Sequence, residues 1–208
     1  MVTDYRLPSW GKIMNAVSEA NEENMASAVR PINSMSIEVK QADVSERPIL
    51  RHLMELYQYD FSEFDEAELG PVGLYDYPYL DHYWVEPERT PFLVRVDGNL
   101  AGFVLVARYN YLTGHKDTWV MAEFFILRKY RHQGIGEYVA RYIFDQFPGA
   151  WQVGQIIGNT AATAFWRKVI QRYAGGDFQE HCLDTENWRG LIQTFISPPS
   201  LPQNGKNA

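Results

Sequence analysis

The sequence predicts an α/β domain of α+β character, with a mixed, mostly antiparallel twisted sheet and helices on both faces. Three observations predict it. Two apolar runs, 92–96 and 100–109, flank Asp97-Gly98-Asn99, and Asp-Gly between alternating runs is a strong hairpin signal. A β-branched and aromatic run at 118–128 passes through a basic, glycine-containing turn into helical periodicity at 134–147. The full order reads β, α, an unassigned stretch, β, β, β, α, β, α, β, β, which packs most economically as one sheet with helices on its faces.

The elements follow in chain order. Residues 1–34 have mixed polarity and no sustained period, apart from a thin apolar stripe over 15–29 that suits a loose helix. We read them as an N-terminal extension, with the main domain at 35–196 and a possible second start at Met35. Ser36-Ile37-Glu38-Val39-Lys40 alternates as a strand. A helix follows Ser45-Glu46-Arg47-Pro48, with Ile49, Leu53, Leu56 and Tyr57 on one face. Residues 60–90 are acidic and aromatic, without one clear state. The helix at 134–147 aligns Ile135, Val139, Tyr142, Ile143 and Phe147 and stops at Pro148-Gly149. A strand covers about 151–157. The next helix starts near Asn159 or Thr160, presents Ala162, Phe165, Trp166, Val169, Ile170 and Tyr173, and ends at Gly175-Gly176. Strands at about 178–184 and 190–196 close the domain, and a Pro/Asn-rich tail, 197–208, is expected to be disordered.

Composition narrows the function. A net charge of −7 argues against a nucleic-acid partner, which favours a basic face, and fits a small cationic one. One cysteine, Cys182, excludes an internal disulfide framework and a multi-cysteine metal site, and suits the cytoplasm. The five histidines show no ligand spacing, so no metal is expected. No apolar run approaches the roughly 20 residues of a membrane span, and Met1–Gly11 lacks the apolar core of a signal peptide.

The chemistry concentrates in Arg128-Lys129-Tyr130-Arg131-His132-Gln133-Gly134-Ile135-Gly136-Glu137. A helix N-terminus offers free N–H groups and partial positive charge, glycines allow close approach, and the cations add donors. The natural ligand is a diphosphate, held by the N–H groups of His132, Gln133, Gly134, Ile135, Gly136 and Glu137. An ordinary β–α turn would use the same glycines for geometry alone. A dinucleotide fingerprint would require Gly where Val139 stands, and no Gly-Lys-Ser/Thr loop is present. The decapeptide resembles the acetyl-CoA signature of the GNAT acetyltransferase superfamily, Arg/Gln-x-x-Gly-x-Gly/Ala, here Arg131, Gly134 and Gly136. The element order over roughly 36–196 also resembles the GNAT fold, with a sheet splayed at the cofactor. Within it, Glu123 to Gly136, Phe144 to Gly149, Phe165 to Ile170 and Ile192 to Phe195 resemble a bacterial group of acetyltransferases of unnamed acceptor.

The resemblance implies acetyl-CoA as co-substrate, an amine acceptor and direct attack in a ternary complex. It implies that backbone groups of Phe124, Phe125 and Ile126 pair with the pantetheine arm, and that Asn159, followed by small residues and Phe165, holds that arm. Asn159 is equally suited to cap its helix. Many relatives carry Tyr at the position of Trp166, where it protonates the departing thiolate, and an indole cannot do this. Tyr173, two turns on, is the nearest tyrosine in sequence and the candidate acid, with a packing role as its alternative. Glu123 stands in an otherwise apolar strand, where burial raises a carboxyl pKa, and is the candidate base or substrate ligand. Related polyamine acetyltransferases carry acids at two adjacent positions, and here the earlier is Ala122. Alternation puts neighbours on opposite faces, so a structural role for Glu123 stays open. In the segment 75–84, Tyr77, Asp81 and Tyr83 suit an ammonium through ring faces and charge, or the segment packs as an aromatic loop. The expected activity is N-acetyl transfer to a small-molecule amine. The alternatives are a non-catalytic acyl-CoA-binding regulatory module and a protein or peptide N-acetyltransferase. The oligomeric state stays open between monomer and homodimer.

Overall fold

A computed structural model describes residues 30–65, 67–185 and 188–199. The loose helix expected at 15–29 and most of the C-terminal tail lie outside the described residues. Seven strands form one sheet: β1 (Ile37–Gln41), β2 (Arg89–Val96), β3 (Asn99–Arg108), β4 (Trp119–Ile126), β5 (Gly149–Ile156), β6 (Phe178–Asp184) and β7 (Arg189–Ser197). Their spatial order is β1-β2-β3-β4-β5-β7-β6. All neighbours run antiparallel except β4 and β5, which are parallel. Helix α1 (Arg47–Phe61) lies between β1 and β2, α2 (Ile135–Gln146) between β4 and β5, and α3 (Thr160–Tyr173) between β5 and β6.

The core has two layers. One face of the sheet packs Val104, Val106, Met121 and Ile126 against α2 and α3, through Val139, Ile143, Phe144, Trp166 and Ile170. The other face packs Phe103, Leu105 and Phe125 against α1 and the short helical turn Leu80–Trp84. That turn is the ordered part of the unassigned stretch, anchored by buried Leu80 and Tyr83 and by the Trp84 indole donating to the Ala42 carbonyl at 3.0 Å.

Two helix faces differ in part from expectation. In α1 the buried residues are Leu50, Leu53, Met54 and Tyr57, while Leu56 is half-exposed. Apolar residues at 49, 50, 53, 54, 56 and 57 allow two overlapping stripes, and the one beginning at Leu50 has the better i, i+3, i+4, i+7 spacing. In α2, Ile135, Val139 and Ile143 are buried as expected, joined by Ala140 and Phe144, while Tyr142 and Phe147 pack partly buried against the same core; Phe144 meets Trp151, Tyr173 and Phe195 at 4.8–5.1 Å. Packing also begins before Met35: Arg30 pairs with Asp97 at 2.7 Å across the β2–β3 turn.

Two irregularities position the site. In the β3–β4 ladder Leu105 faces Glu123 and Val106 faces Met121, so Ala122 is an inserted bulge residue. The β4–β5 ladder holds only over Trp119–Met121 and Trp151–Val153. Past Met121 the two strands share no ladder pair, while β5 stays paired with β7 as far as Ile156. The sheet therefore opens between β4 and β5 at the bulge.

Candidate active site

The N-terminus of α2 sits at the mouth of this opening. Chain direction reverses through the turn Arg128–Tyr130, and His132 and Gly134 then take left-handed φ of 62° and 81°. Gly134 is the N-cap and offers no side chain to the first amides of the helix. The first helical bond runs from the Tyr138 N–H to the Gly134 carbonyl at 3.0 Å. The unpaired first-turn amides can hold an anion. Gly136 serves another purpose: a Cβ there would crowd ring atoms of Phe165 at 3.2 and 3.3 Å, so the glycine lets α2 and α3 approach closely.

The arginines of the turn are already engaged. Arg128 and Arg131 donate to the two carboxylate oxygens of Asp60 on α1 at 2.7 and 2.5 Å, and Arg131 Nε donates to the Ile126 carbonyl at 2.7 Å. Burial opposes ionisation of Asp60, but the two guanidiniums outweigh it and hold its carboxyl below the usual range. Arg131 thus braces β4 to α1, and the groups at this turn without a protein partner are mainly backbone amides. The Gln133 side chain donates to the Lys129 carbonyl, and Glu137 pairs with Arg172 of α3.

Between these parts lies a cleft of about 640 Å³. Phe124, Phe125 and Ile126 line it from β4, Gly134 and Gly136 from α2, and Asn159, Ala161, Ala162, Phe165, Trp166 and Lys168 from α3 and its cap. Phe124 stacks on Phe165 and meets Trp166 edge-on at 4.9 Å, which makes an apolar wall. The open edge of β4 reaches this wall.

On the other side of the sheet the bulge places Ala122 and Glu123 together on the α1 face. A one-residue shift therefore does not turn the carboxylate away, because both adjacent positions face the same layer. Glu123 Oε1 accepts from the Tyr77 hydroxyl at 2.9 Å, and the Tyr57 hydroxyl stands beside the same carboxylate. Burial pushes its carboxyl up to about 7, while the two hydroxyls pull the other way. Tyr83 and Tyr111 complete the surroundings, each with its phenol pushed up by burial first and by the Glu123 charge second. A carboxyl poised near neutrality beside an opened strand edge is suited to take a proton.

The sequence profile of the Acetyltransferase (GNAT) family matches residues 50–170. The chain belongs to the GNAT acetyltransferase family. No curated protein matches its sequence. Solved structures share the fold. An acetyltransferase of GNAT family from Staphylococcus aureus Mu50 is 15% identical, with TM-score 0.53, covering 77% of this chain and 99% of its own. An acetyltransferase from Thermus thermophilus is 13% identical, with TM-score 0.56 and coverages of 77% and 97%. The spermidine N-acetyltransferase from Vibrio cholerae, solved with CoA and spermine, is 11% identical, with TM-score 0.53 and coverages of 77% and 95%. At these identities the likeness speaks to the fold.

Within this GNAT scaffold, two expected residues lie elsewhere. Tyr173 is at the far end of α3, about 20 Å along the helix from its start. Its hydroxyl bonds Asp145 and Ser197, each at 2.7 Å, so it ties α2, α3 and β7 together rather than serving the cleft. Asp81 is exposed and pairs with Arg51 at 2.9 Å and Arg47 at 3.7 Å on α1, which leaves it no role at Glu123. Tyr77 and Tyr83 do come to the carboxylate. Tyr57, Tyr111 and Asp60 were not anticipated as site residues. Tyr57 and Asp60 read as part of an ordinary helix, and no local signal marks them.

Asn159 fills its capping role: its Oδ1 accepts from the Ala162 N–H at 2.9 Å. Asn159→Ala is expected to cost about 1 kcal/mol of stability and Asn159→Asp much less, since Asp keeps the cap. Denaturant unfolding of both variants checks this.

No helix among the described residues is long and apolar enough to cross a membrane, and none of their His, Cys, Asp and Glu residues cluster as metal ligands.

Proposed function

We propose that the protein is an acetyl-CoA-dependent N-acetyltransferase that acetylates a primary amine of a small molecule by direct attack in a ternary complex. One observation carries this reading: Glu123 stands at the bulge where β4 parts from β5, and the uncapped N-terminus of α2 opens onto the same gap. Acetyl-CoA supplies an activated acetyl thioester. The first-turn amides of α2 would hold its diphosphate. The β4 edge at Phe124–Ile126, which β5 leaves unpaired though the Ile126 carbonyl already accepts from Arg131, would pair with the pantetheine arm as an added strand. Asn159 caps α3 with its oxygen and has its amide N–H groups for the same arm. The fit is physical: the amides lack a capping side chain, and glycine at 136 keeps the wall between α2 and α3 close.

The acceptor enters from the α1 face. Glu123 takes a proton from its ammonium, and Tyr77 orients the carboxylate. The rings of Tyr77 and Tyr83 favour a cation over a neutral ligand. The spermidine acetyltransferase of the same fold, solved with spermine, supports an amine as acceptor. The enclosure of Glu123 by side chains of α1, the Tyr77–Tyr83 segment and the β3–β4 connection favours a small molecule over a peptide.

Free thiol release over a panel of small amines tests this. Release that depends on one amine class is expected. Binding of acetyl-CoA with no release for any amine or peptide would favour a regulatory module instead.

A further inference from the structure

Resting on that reading, the departure of coenzyme A leaves one proton unassigned. A thiolate leaves more easily when protonated, and the α3 side of the cleft presents Trp166, whose indole is no acid. Tyr173 is committed to Asp145 and Ser197 at the other end of the helix. Of the four tyrosines around Glu123, Tyr57 is the one that also lines the cleft, beside Phe124 and Phe125. Tyr77, Tyr83 and Tyr111 approach the carboxylate without lining it. The Tyr57 ring is fixed by Phe61 at 4.5 Å and by Phe103 and Phe125, each at 5.7 Å. Tyr57 thus adjoins both halves of the reaction: its hydroxyl stands beside Glu123, and its side chain lines the cleft.

We propose that Tyr57 is a catalytic acid that donates its proton to the departing sulfur and is reprotonated by Glu123. The balance is complete. The C–N bond forms as the C–S bond breaks. One proton of the ammonium passes through Glu123 and Tyr57 to sulfur, a second goes to solvent, and the third stays on the amide. No electron transfer is involved. Burial keeps Tyr57 protonated between turnovers, so it hands a proton on and takes one back in the same step rather than standing as phenolate.

The test compares two acetyl donors, acetyl-CoA and p-nitrophenyl acetate, whose leaving group departs without protonation. The acceptor is the amine that the wild type uses best. Tyr57→Phe is expected to lower kcat with acetyl-CoA by about 100-fold, to leave acetyl-CoA affinity within about twofold, and to lose far less with p-nitrophenyl acetate. Tyr77→Phe, which removes a hydroxyl that bonds Glu123 without lining the cleft, is expected to lose equally with both donors. Should Tyr57→Phe melt early, the solvent deuterium isotope effect on wild-type kcat gives the same answer, being larger with acetyl-CoA than with p-nitrophenyl acetate. Equal losses for Tyr57→Phe with both donors, or equal isotope effects, would overturn the relay alone. A wild type that releases no thiol with any amine would overturn the acetyltransferase reading and the relay together.

Discussion

Glu123→Gln is expected to lower kcat/KM for the amine by two to four orders of magnitude, roughly the range for loss of a positioned general base. Glutamine keeps the size of the side chain and still accepts from the Tyr77 hydroxyl, so geometry is preserved while basicity is lost. The wild type should show the matching pH dependence. A base works in its ionised form, and burial has pushed this carboxyl up to about 7. The wild-type rate should therefore climb with pH and level off above about 7, and the residual rate of the variant should lack that limb. The same shift has a stability consequence of known sign. The folded protein holds the Glu123 proton more tightly than the unfolded chain, whose value lies near 4.5. Below 4.5 both states are protonated and there is no cost. Between there and about 7 folding loses stability as pH rises, and above 7 the full cost remains. At about 1.4 kcal/mol per unit, and discounted because Glu123 keeps some contact with solvent, that cost is on the order of 2 kcal/mol. Glu123→Gln should accordingly unfold at higher denaturant than wild type at about pH 8, and show no such gain at about pH 4. An active variant, or a wild-type rate flat through about pH 7, would remove Glu123 from the base role.

The second large effect is expected at Gly136. Its missing Cβ is where Phe165 packs, at 3.2 and 3.3 Å, with Phe124 at 3.9 Å beyond. Gly136→Val adds a branched side chain to that contact. It can be accommodated only by pushing Phe165 off Phe124, into the cleft, or by prising α2 from α3. Overpacking of this kind costs about 1–3 kcal/mol in stability. The greater loss falls on the ligand, since the α2 amides and the Phe165 wall would no longer share one spacing. Acetyl-CoA affinity is expected to fall by about 100-fold or more, equivalent to about 2.7 kcal/mol, while the far-UV spectrum stays native. Calorimetry beside a thermal melt checks both halves. Unchanged affinity in a folded Gly136→Val protein would place the cofactor elsewhere.

What was legible in the sequence was local. The run from β4 through Arg131 and Gly134 into α2 is contiguous, so the strand, the turn and the start of the helix at Gly134 can be read within a few residues. The Asp97-Gly98 hairpin and the capping Asn159 are of the same kind. What was not legible depends on distant parts of the chain. Arg131 reads as a ligand donor until Asp60, 71 residues away, is found at its guanidinium. Glu123 draws Tyr57, Tyr77, Tyr83 and Tyr111 from separate segments that share no pattern. The bulge at Ala122 is a matter of register between β3 and β4, and alternation along one strand cannot show it. The face of α1 is only half legible, at Leu53 and Tyr57, because its six closely spaced apolar residues support two stripes and only the sheet beneath decides between them.

The central claim is that the gap between β4 and β5 and the N-terminus of α2 form one acetyl-CoA site serving Glu123. The most direct test is calorimetric titration of the wild type with acetyl-CoA, followed by thiol release in the presence of small amines. Saturable binding is predicted, with release that requires an amine; in Glu123→Gln the release is lost and the binding kept. Absence of acetyl-CoA binding by the folded wild type would contradict it.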